Sequence, residues 1–356
     1  MSLFDMEEDF FHNRKELKKK RKLKQKLDRS QFKKSNQKRV EGKTLSSDLV
    51  RGRVLSIQGK GTLVASGEEE FFCSLRGTLK QKRSEVKNLI AVGDFVHFSR
   101  SELVIEEVEE RKSLLSRQDM VRKKMQIIAV NIDQVLITTS IKEPSLKPPL
   151  VDRYLIAASK GNMKGLIVVN KIDLLDSLAT EEAALYEEFF RTFSSLGYPI
   201  FCVSSITEEG IDKLVIAMKD KTSVFAGQSG VGKTSLINFI EKKNFKTLGL
   251  TKKTKKGSHA TTKAHLIPLK NGGFCIDTPG IRSFGLWKLE RSDLVEHFFE
   301  MKPFSDQCRY PDCSHRSEPE CGVRKAVEEK KISPLRFASY LSLMKSIEQP
   351  MEEKYE

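Results

Sequence analysis

The chain has 356 residues, with 63 Lys+Arg against 48 Asp+Glu and a formal net charge of +15. That length holds two or three domains with buried cores, and 38% of the residues are hydrophobic. The 31% charged fraction argues against a membrane protein, and no window approaches the roughly 20 apolar residues of a spanning helix. The acidic start, MSLFDMEEDF, has no apolar core of a secretory signal.

The charge is concentrated in two places. Residues 11–43 carry 15 Lys/Arg against 3 Asp/Glu, a local +12, and residues 242–263 carry 8 Lys and no acid, a local +8. The remaining body is mildly acidic, at −5. Dense Lys/Arg without apolar partners either stays a solvated tail or binds phosphate backbones by releasing counterions.

In chain order, residues 1–45 read as a basic disordered extension, helical at most over 16–27. Residues 46–115 contain RGRVLSIQGKGTLVAS, EEEFFCSL, GDFVHFSR and LVIEEVEE, short β-rich runs punctuated by Gly59, Gly61, Gly67 and Gly93. They predict a small β-barrel, an OB-fold by size, with an SH3-like barrel as the alternative. A basic linker is expected over 111–124. Residues 116–286 alternate short apolar runs (QIIAVNIDQVLITTS, GLIVVNKIDLL, YPIFCVSS, TSVFAGQSG, GFCIDTPG) with helical patterns over 152–160, 180–196, 211–219 and 233–241. Buried strands alternating with helices predict an α/β domain with a largely parallel sheet. Residues 287–356 read as helical apart from a Cys/His cluster, so the fold class is multidomain.

Gly227-Gln228-Ser229-Gly230-Val231-Gly232-Lys233-Thr234-Ser235 follows the apolar run SVFA and opens a helical pattern. This is the P-loop in its strand–loop–helix context: glycines turn backbone N–H groups around phosphate oxygens, and the helix N-terminus adds its dipole. Lys233 is expected to reach the β and γ phosphates, and the Thr234 hydroxyl to ligate Mg²⁺. Asn170-Lys171-Ile172-Asp173 closes another apolar strand. An N-K-x-D there reads guanine, since the Asp173 carboxylate accepts two hydrogen bonds from N1–H and the 2-amino group, which adenine does not offer. The Lys171 stem stacks on the base and Asn170 ties its loop to the P-loop. Ser204 and Ser205, after IFCV, are candidate partners on the other side of the base. Asp277-Thr278-Pro279-Gly280 also ends a strand; its carboxylate can hold a Mg²⁺-bound water and the Gly280 amide can contact the γ-phosphate, the behaviour of a switch. In GSHATT (257–262), Thr261 and Thr262 are both candidates for a second Mg²⁺ ligand.

Ordinary GTPases run P-loop, switch Thr, D-x-x-G, N-K-x-D. Here N-K-x-D and the Ser-Ser loop come first, so the order is circularly permuted. Motifs on loops at one sheet edge build the same site in either order. Permutation also ties D-x-x-G directly to the C-terminal region. That region holds Cys308, Cys313, His315 and Cys321, the Cys₃His set of a closed, tetrahedral structural zinc site. The other three cysteines, Cys73, Cys202 and Cys275, fall in apolar runs and read as core rather than as a disulfide framework.

A small barrel, a permuted GTPase core and a C-x₄-C-x-H-x₅-C finger, with N-K-I-D, GQSGVGKTS, GSHATT and DTPG in that order, resemble the bacterial ribosome-small-subunit-dependent GTPase A family. The resemblance covers roughly 49–345. It implies a cytoplasmic monomer that binds GTP/GDP, Mg²⁺ and one structural Zn²⁺. It further implies action on the pre-30S subunit in late maturation, with 16S rRNA as the main contact and GTP hydrolysis stimulated by the subunit. The family usually reads G-R-H-T-T-T, whereas Ser258 and Ala260 stand here in place of Arg and the first Thr. The residue after D-x-x-G, where Ras-like enzymes carry a water-orienting Gln, is Ile281. In the family the switch His takes that task, which assigns it here to His259, with a surface His on a loop as the alternative. The 1–45 extension lies outside the resemblance. Three other readings share some of these motifs: a P-loop kinase or ATPase, a permuted GTPase of the large subunit, and a GTP-gated RNA-binding module with negligible catalysis.

Overall fold

The computed structural model describes residues 48–59, 61–77, 89–119, 124–244, 264–270, 272–277 and 290–348. The expected extension over 1–45 lies outside the described residues.

Five strands, β1 (Leu49–Ile57), β2 (Thr62–Ser66), β3 (Glu69–Leu75), β4 (Phe95–Ser99) and β5 (Val104–Val108), pair in the order β1-β2-β3-β5-β4, and β4 returns to β1. The β3–β5 pair is parallel, while β1–β2, β2–β3 and β4–β5 are antiparallel. The result is a closed five-stranded barrel of the OB type rather than an SH3-like one. Alternating residues fill it: Val54, Val64, Cys73, Val96, Phe98 and Ile105 form its core.

Next come β6 (Leu114–Asp119) and β7 (Lys124–Val130), an antiparallel pair. β6 occupies part of the stretch expected as a linker. Its two leucines at one end give no period-2 pattern, and the backbone of β7 supplies the pairing that the sequence of β6 does not advertise.

The α/β domain follows with β8 (Gln134–Ser140), α1 (Pro148–Lys160), β9 (Lys164–Asn170), α2 (Thr180–Ser195), β10 (Ile200–Val203), α3 (Ile211–Met218), β11 (Thr222–Ala226), α4 (Lys233–Asn244), β12 (His265–Pro268) and β13 (Phe274–Asp277). The strand order is β10-β9-β8-β11-β13-β12. The first five strands are parallel and β12 is antiparallel to β13. All seven residues of β8 are buried, as a strand covered on both faces requires. One face packs Val135, Ile137, Val169 and Val224 with residues of α1 and α2; the other packs Leu136, Val168 and Phe225 with residues of α3 and α4. Pro148 and Pro149 occupy the first turn of α1, where a missing N–H costs nothing. The outer strand β12 pairs with barrel strand β1, Ser56 opposite His265, so barrel and domain share one sheet.

The C-terminal helices are α5 (Arg291–His297), α6 (Lys302–Ser305), α7 (Gly322–Glu328) and α8 (Pro334–Glu348). Their core, with Leu294, Phe298, Met301, Val323, Tyr340 and Leu343, takes in Ile156 of α1. Beside that apolar contact lies a buried ionic one. The Arg336 guanidinium, 1% exposed, donates to Asp152 of α1 and, through Nε, to Glu300 Oε1 at 2.6 Å. It stacks 4.2 Å from the Phe298 ring centroid, and His297 Nε2 lies 3.1 Å from the same Asp152 Oδ1.

Desolvating a cation is tolerable here only because two carboxylates and a ring face it. Arg336→Ala, which leaves Asp152 buried without its cation, is expected to destabilise the protein by about 3–5 kcal/mol in urea unfolding. The double variant Asp152→Leu/Arg336→Met is expected to recover part of that loss, since the stranded charge carries most of the penalty.

Candidate nucleotide site and metal centre

The loop 227–232 leaves β11 and enters α4 at Lys233. Two of its glycines are demanded by close approach. Gly227 has φ 140°, and a Cβ there would lie 2.0 Å from the Thr138 carbonyl oxygen of β8. Gly232 has φ 91°, and a Cβ there would lie 2.2 Å from Asn170 Nδ2. Lys233 Nζ donates to the carbonyls of Gly227 at 2.8 Å and Gln228 at 2.5 Å, which ties the ammonium to the loop's first turn. Gly227 and Val231 are buried, Gln228 and Gly232 are intermediate, and Ser229, Gly230, Thr234 and Ser235 are exposed.

Asn170, the last residue of β9, is fully buried. Its Nδ2 donates to the Val231 carbonyl at 2.8 Å, and its Oδ1 accepts from Ser205 N–H at 3.3 Å. One carboxamide therefore links three loops. Lys171 has φ 66°, a left-handed kink that starts the 3-10 turn Ile172–Ser177, and its Nζ donates to the Glu143 carbonyl. The turn carries Asp173, whose Oδ1 accepts from the Ser204 hydroxyl at 2.5 Å. That hydroxyl also accepts from Ile206 N–H and Thr207 N–H, both at 3.1 Å, so its hydrogen-bonding capacity is filled. The sequence marks Ser204 as a partner on the far side of the base; the structure gives its side chain a contact with Asp173.

β13 ends at Asp277 beside β11, Val224 opposite Ile276. The P-loop, N-K-I-D, the Ser-Ser loop and D-T-P-G thus all leave the carboxyl ends of parallel strands, where open α/β sheets bind ligands. Gly280, His259, Thr261 and Thr262 lie outside the described residues, and so does the Lys-rich stretch over 251–263. The loop's turn and its forced glycines make a cradle of backbone that suits a phosphate chain, and a carboxylate such as that of Asp173 is chemically able to accept from paired donors on a base.

In the C-terminal helices, Cys308, Cys313, His315 and Cys321 converge, with all ligand atoms within 4.8 Å of one another. Zinc with Zn–S of about 2.3 Å and Zn–N of about 2.05 Å at tetrahedral angles sets S···S at about 3.8 Å and S···N at about 3.6 Å. The structure has Cys308 Sγ 3.8 Å from Cys321 Sγ, and His315 Nδ1 3.5 Å from both of those sulfurs. The donor set therefore fits zinc in kind and in spacing. Burial pushes the Cys313 thiol up to about 12, and a divalent cation is what makes a buried thiolate favourable there. Sequence reasoning missed Glu318. Its carboxylate accepts from Ser314 N–H at 2.7 Å, Arg316 N–H at 2.9 Å, Ser317 N–H at 3.1 Å and the Ser314 hydroxyl. Burial raises its pKa, but these donors outweigh that and hold it down at about 2. The effect is to fix the loop in which His315 sits at φ 61°. A Glu three residues from a ligand in a short polar loop is the signal that could have found it. Cys73 and Cys275 are buried and Cys202 is half-buried; no cysteine is disulfide-bonded among the described residues.

A family model described as RsgA GTPase matches residues 108–287. A protein from Chlorobaculum parvum named small ribosomal subunit biogenesis GTPase RsgA is 37% identical over 316 residues, 85% of this chain and 100% of that one. Another of that name from Actinobacillus succinogenes is 36% identical over 295 residues, 81% of each chain. Among solved structures, YjeQ from Thermotoga maritima matches with a TM-score of 0.65 at 33% identity, over 84% of this chain and 98% of that one. YloQ, described as a circularly permuted GTPase, matches at 0.65 and 25% identity over 86% and 99%.

Gly232→Ala forces the Asn170 carboxamide away and breaks a buried hydrogen bond, worth about 1–3 kcal/mol. Titration with a fluorescent guanine nucleotide is expected to show affinity about 5- to 150-fold weaker. At the metal centre, Cys321→Ser is expected to abolish zinc binding in metal analysis. Glu318→Ala keeps all four ligands and is expected to lower zinc affinity about tenfold or more in chelator competition.

Proposed function

Because this chain belongs to the RsgA GTPase family, we propose that it hydrolyses GTP to GDP and phosphate to promote late maturation of the small ribosomal subunit. The observation that carries the reading is Asn170, whose side chain spans from the P-loop at Val231 to the loop at Ser205. It supports one guanine nucleotide lying across both loops, its phosphates on 227–235 and its base at Asp173.

The roles follow from that placement. Backbone N–H groups of Gly227, Gln228, Ser229, Gly230, Val231 and Gly232 bind phosphate, and Lys233 turns from its own loop carbonyls to the β and γ oxygens. Lys171 and Ser205 flank the base, and Ser204 fixes the rotamer of Asp173. Thr234 and Asp277 are the residues that would hold Mg²⁺, with Thr261 or Thr262 as a further ligand; the ion's contribution is to neutralise charge on the phosphate oxygens. His259 orients or deprotonates the attacking water, since Ile281 cannot. Gly280 senses the γ-phosphate. Zinc on Cys308, Cys313, His315 and Cys321 is structural, because four protein ligands leave no open position.

The relatives' names point to the 30S subunit as the partner. A barrel of the OB type and the two basic stretches support 16S rRNA as the surface met there. The same names point to a cytoplasmic site of action, where the protein acts as a monomer on the subunit; among the described residues no helix is long and apolar enough to cross a membrane.

The test is GTP turnover by wild type and His259→Ala, each with and without purified 30S or 50S subunits. Stimulation by 30S in the wild type and its loss in the variant are expected. No stimulation by 30S, or stimulation by 50S alone, would overturn the proposal. Asp173→Asn is expected to weaken GDP by about a hundredfold or more and to favour xanthine nucleotides, whose 2-oxo group accepts from the new amide.

A further inference from the structure

Barrel strand β1 meets the nucleotide domain at two points, one at the start of β13 and one, through β12, level with its end at Asp277. At one end, Arg53 Nη2 donates to the Asn131 carbonyl at 2.9 Å and to Thr222 Oγ1 at 2.8 Å. The guanidinium lies 4.9 Å from the ring of Phe95 in β4 and 4.6 Å from the ring of Phe274 in β13. Thr222 is the first residue of β11, and Phe274, its neighbour in the parallel pair, is the first of β13. Asp133 completes the joint, accepting from Thr222 N–H at 2.7 Å. Arg53 is half-buried, and burial pushes its guanidinium down to about 10 against the pull of Asp133.

At the other end, three residues further along both strands, Ser56 of β1 pairs with His265, and His265 pairs with Asp277. β1 therefore runs beside β13, through β12, like a splint fixed at both ends. The gripped strands are the ones with chemistry at their far ends: β11 runs into the P-loop at Gly227, and β13 into Asp277.

We propose that β1, locked by Arg53, couples the barrel to the phosphate-sensing end of the sheet, and that Arg53 is a positioning residue for ribosome-stimulated hydrolysis. The ribosomal half of this rests on the function proposed above; the coupling itself does not. A partner that shifts the barrel shifts β11 and β13 with it. By linkage the effect is reciprocal, so the nucleotide's γ-phosphate must also be felt in the barrel.

That reciprocity gives a test without ribosomes. The full-length protein is loaded with GDP or a non-hydrolysable GTP analogue, and amide hydrogen exchange is followed in peptides covering β1 and β4. In the wild type, exchange of these peptides is expected to differ several-fold between nucleotides. Arg53→Met is expected to erase the difference while GDP affinity stays within twofold. Arg53→Lys, which keeps a charge and a donor but not the planar stack, is expected to restore it in part. A wild-type barrel indifferent to nucleotide, or a difference that survives in Arg53→Met, would overturn the coupling. A parallel fall in GDP affinity would also overturn it, by reducing Arg53 to a folding role. If Arg53→Met does not fold, Thr222→Val removes one acceptor and reads the same quantities. In the second arm, 30S-stimulated turnover is expected to fall about five- to tenfold in Arg53→Met with intrinsic turnover unchanged. Absence of stimulation in the wild type counts against the proposed function alone, and the exchange arm still decides the coupling.

Discussion

The nucleotide end of the molecule depends on the buried carboxamide of Asn170. A side-chain amide with no access to water must spend its donors and acceptor on protein groups or lose about 1–3 kcal/mol for each one left unmade. Asn170 spends them on the P-loop backbone, 61 residues away in sequence, and on the Ser205 backbone, 35 away. The N-K-I-D loop is thereby fixed relative to the P-loop by hydrogen bonds rather than by chain connectivity. This is why the permuted order is tolerated: the parts need only share an edge of the sheet, and any sequence path that delivers them there suffices.

Much of this was legible in the sequence because it is written in short-range code. The five barrel strands, the alternation of apolar runs and helices, the P-loop, N-K-I-D, D-T-P-G and the Cys/His spacing are all local patterns. What was not legible is non-local. β6 shows no alternation of its own and becomes a strand only against β7. Ser204 reads as a partner of the base, and its hydroxyl contact with Asp173 shows only once the 3-10 turn brings the two together. Arg336 looks like any helical arginine on an exposed face, yet 184 residues separate it from the Asp152 that makes its burial possible. Arg53 sits in a strand rich in arginine, and nothing in RGRV marks which of the two is exposed and which is held between Phe95 and Phe274.

The C-terminal helices are held by two unlike devices. The Cys₃His cluster closes a loop-rich segment that has little apolar surface of its own, and the Arg336 network docks the result on α1. The two differ in reach: the cluster acts within fourteen residues of sequence, the network across the molecule. A device of each kind suits a segment that follows D-T-P-G directly, because it must be rigid in itself and also seated on the helix packed beneath the sheet.

The insertion of β11 between β8 and β13 has a consequence for the chain as it is made. β8 through β10 leave the ribosome first and can pair as a three-stranded parallel unit, with β8 at its edge. All seven residues of β8 are buried in the finished sheet, so its free backbone edge and its apolar Val135, Leu136 and Ile137 stay uncovered until β11 has emerged. The 23 residues from Val203, which ends β10, to Ala226, which ends β11, take about 1–5 seconds to synthesise. Placing β11 after β10 in the chain thus leaves the nascent sheet with an open edge for that period.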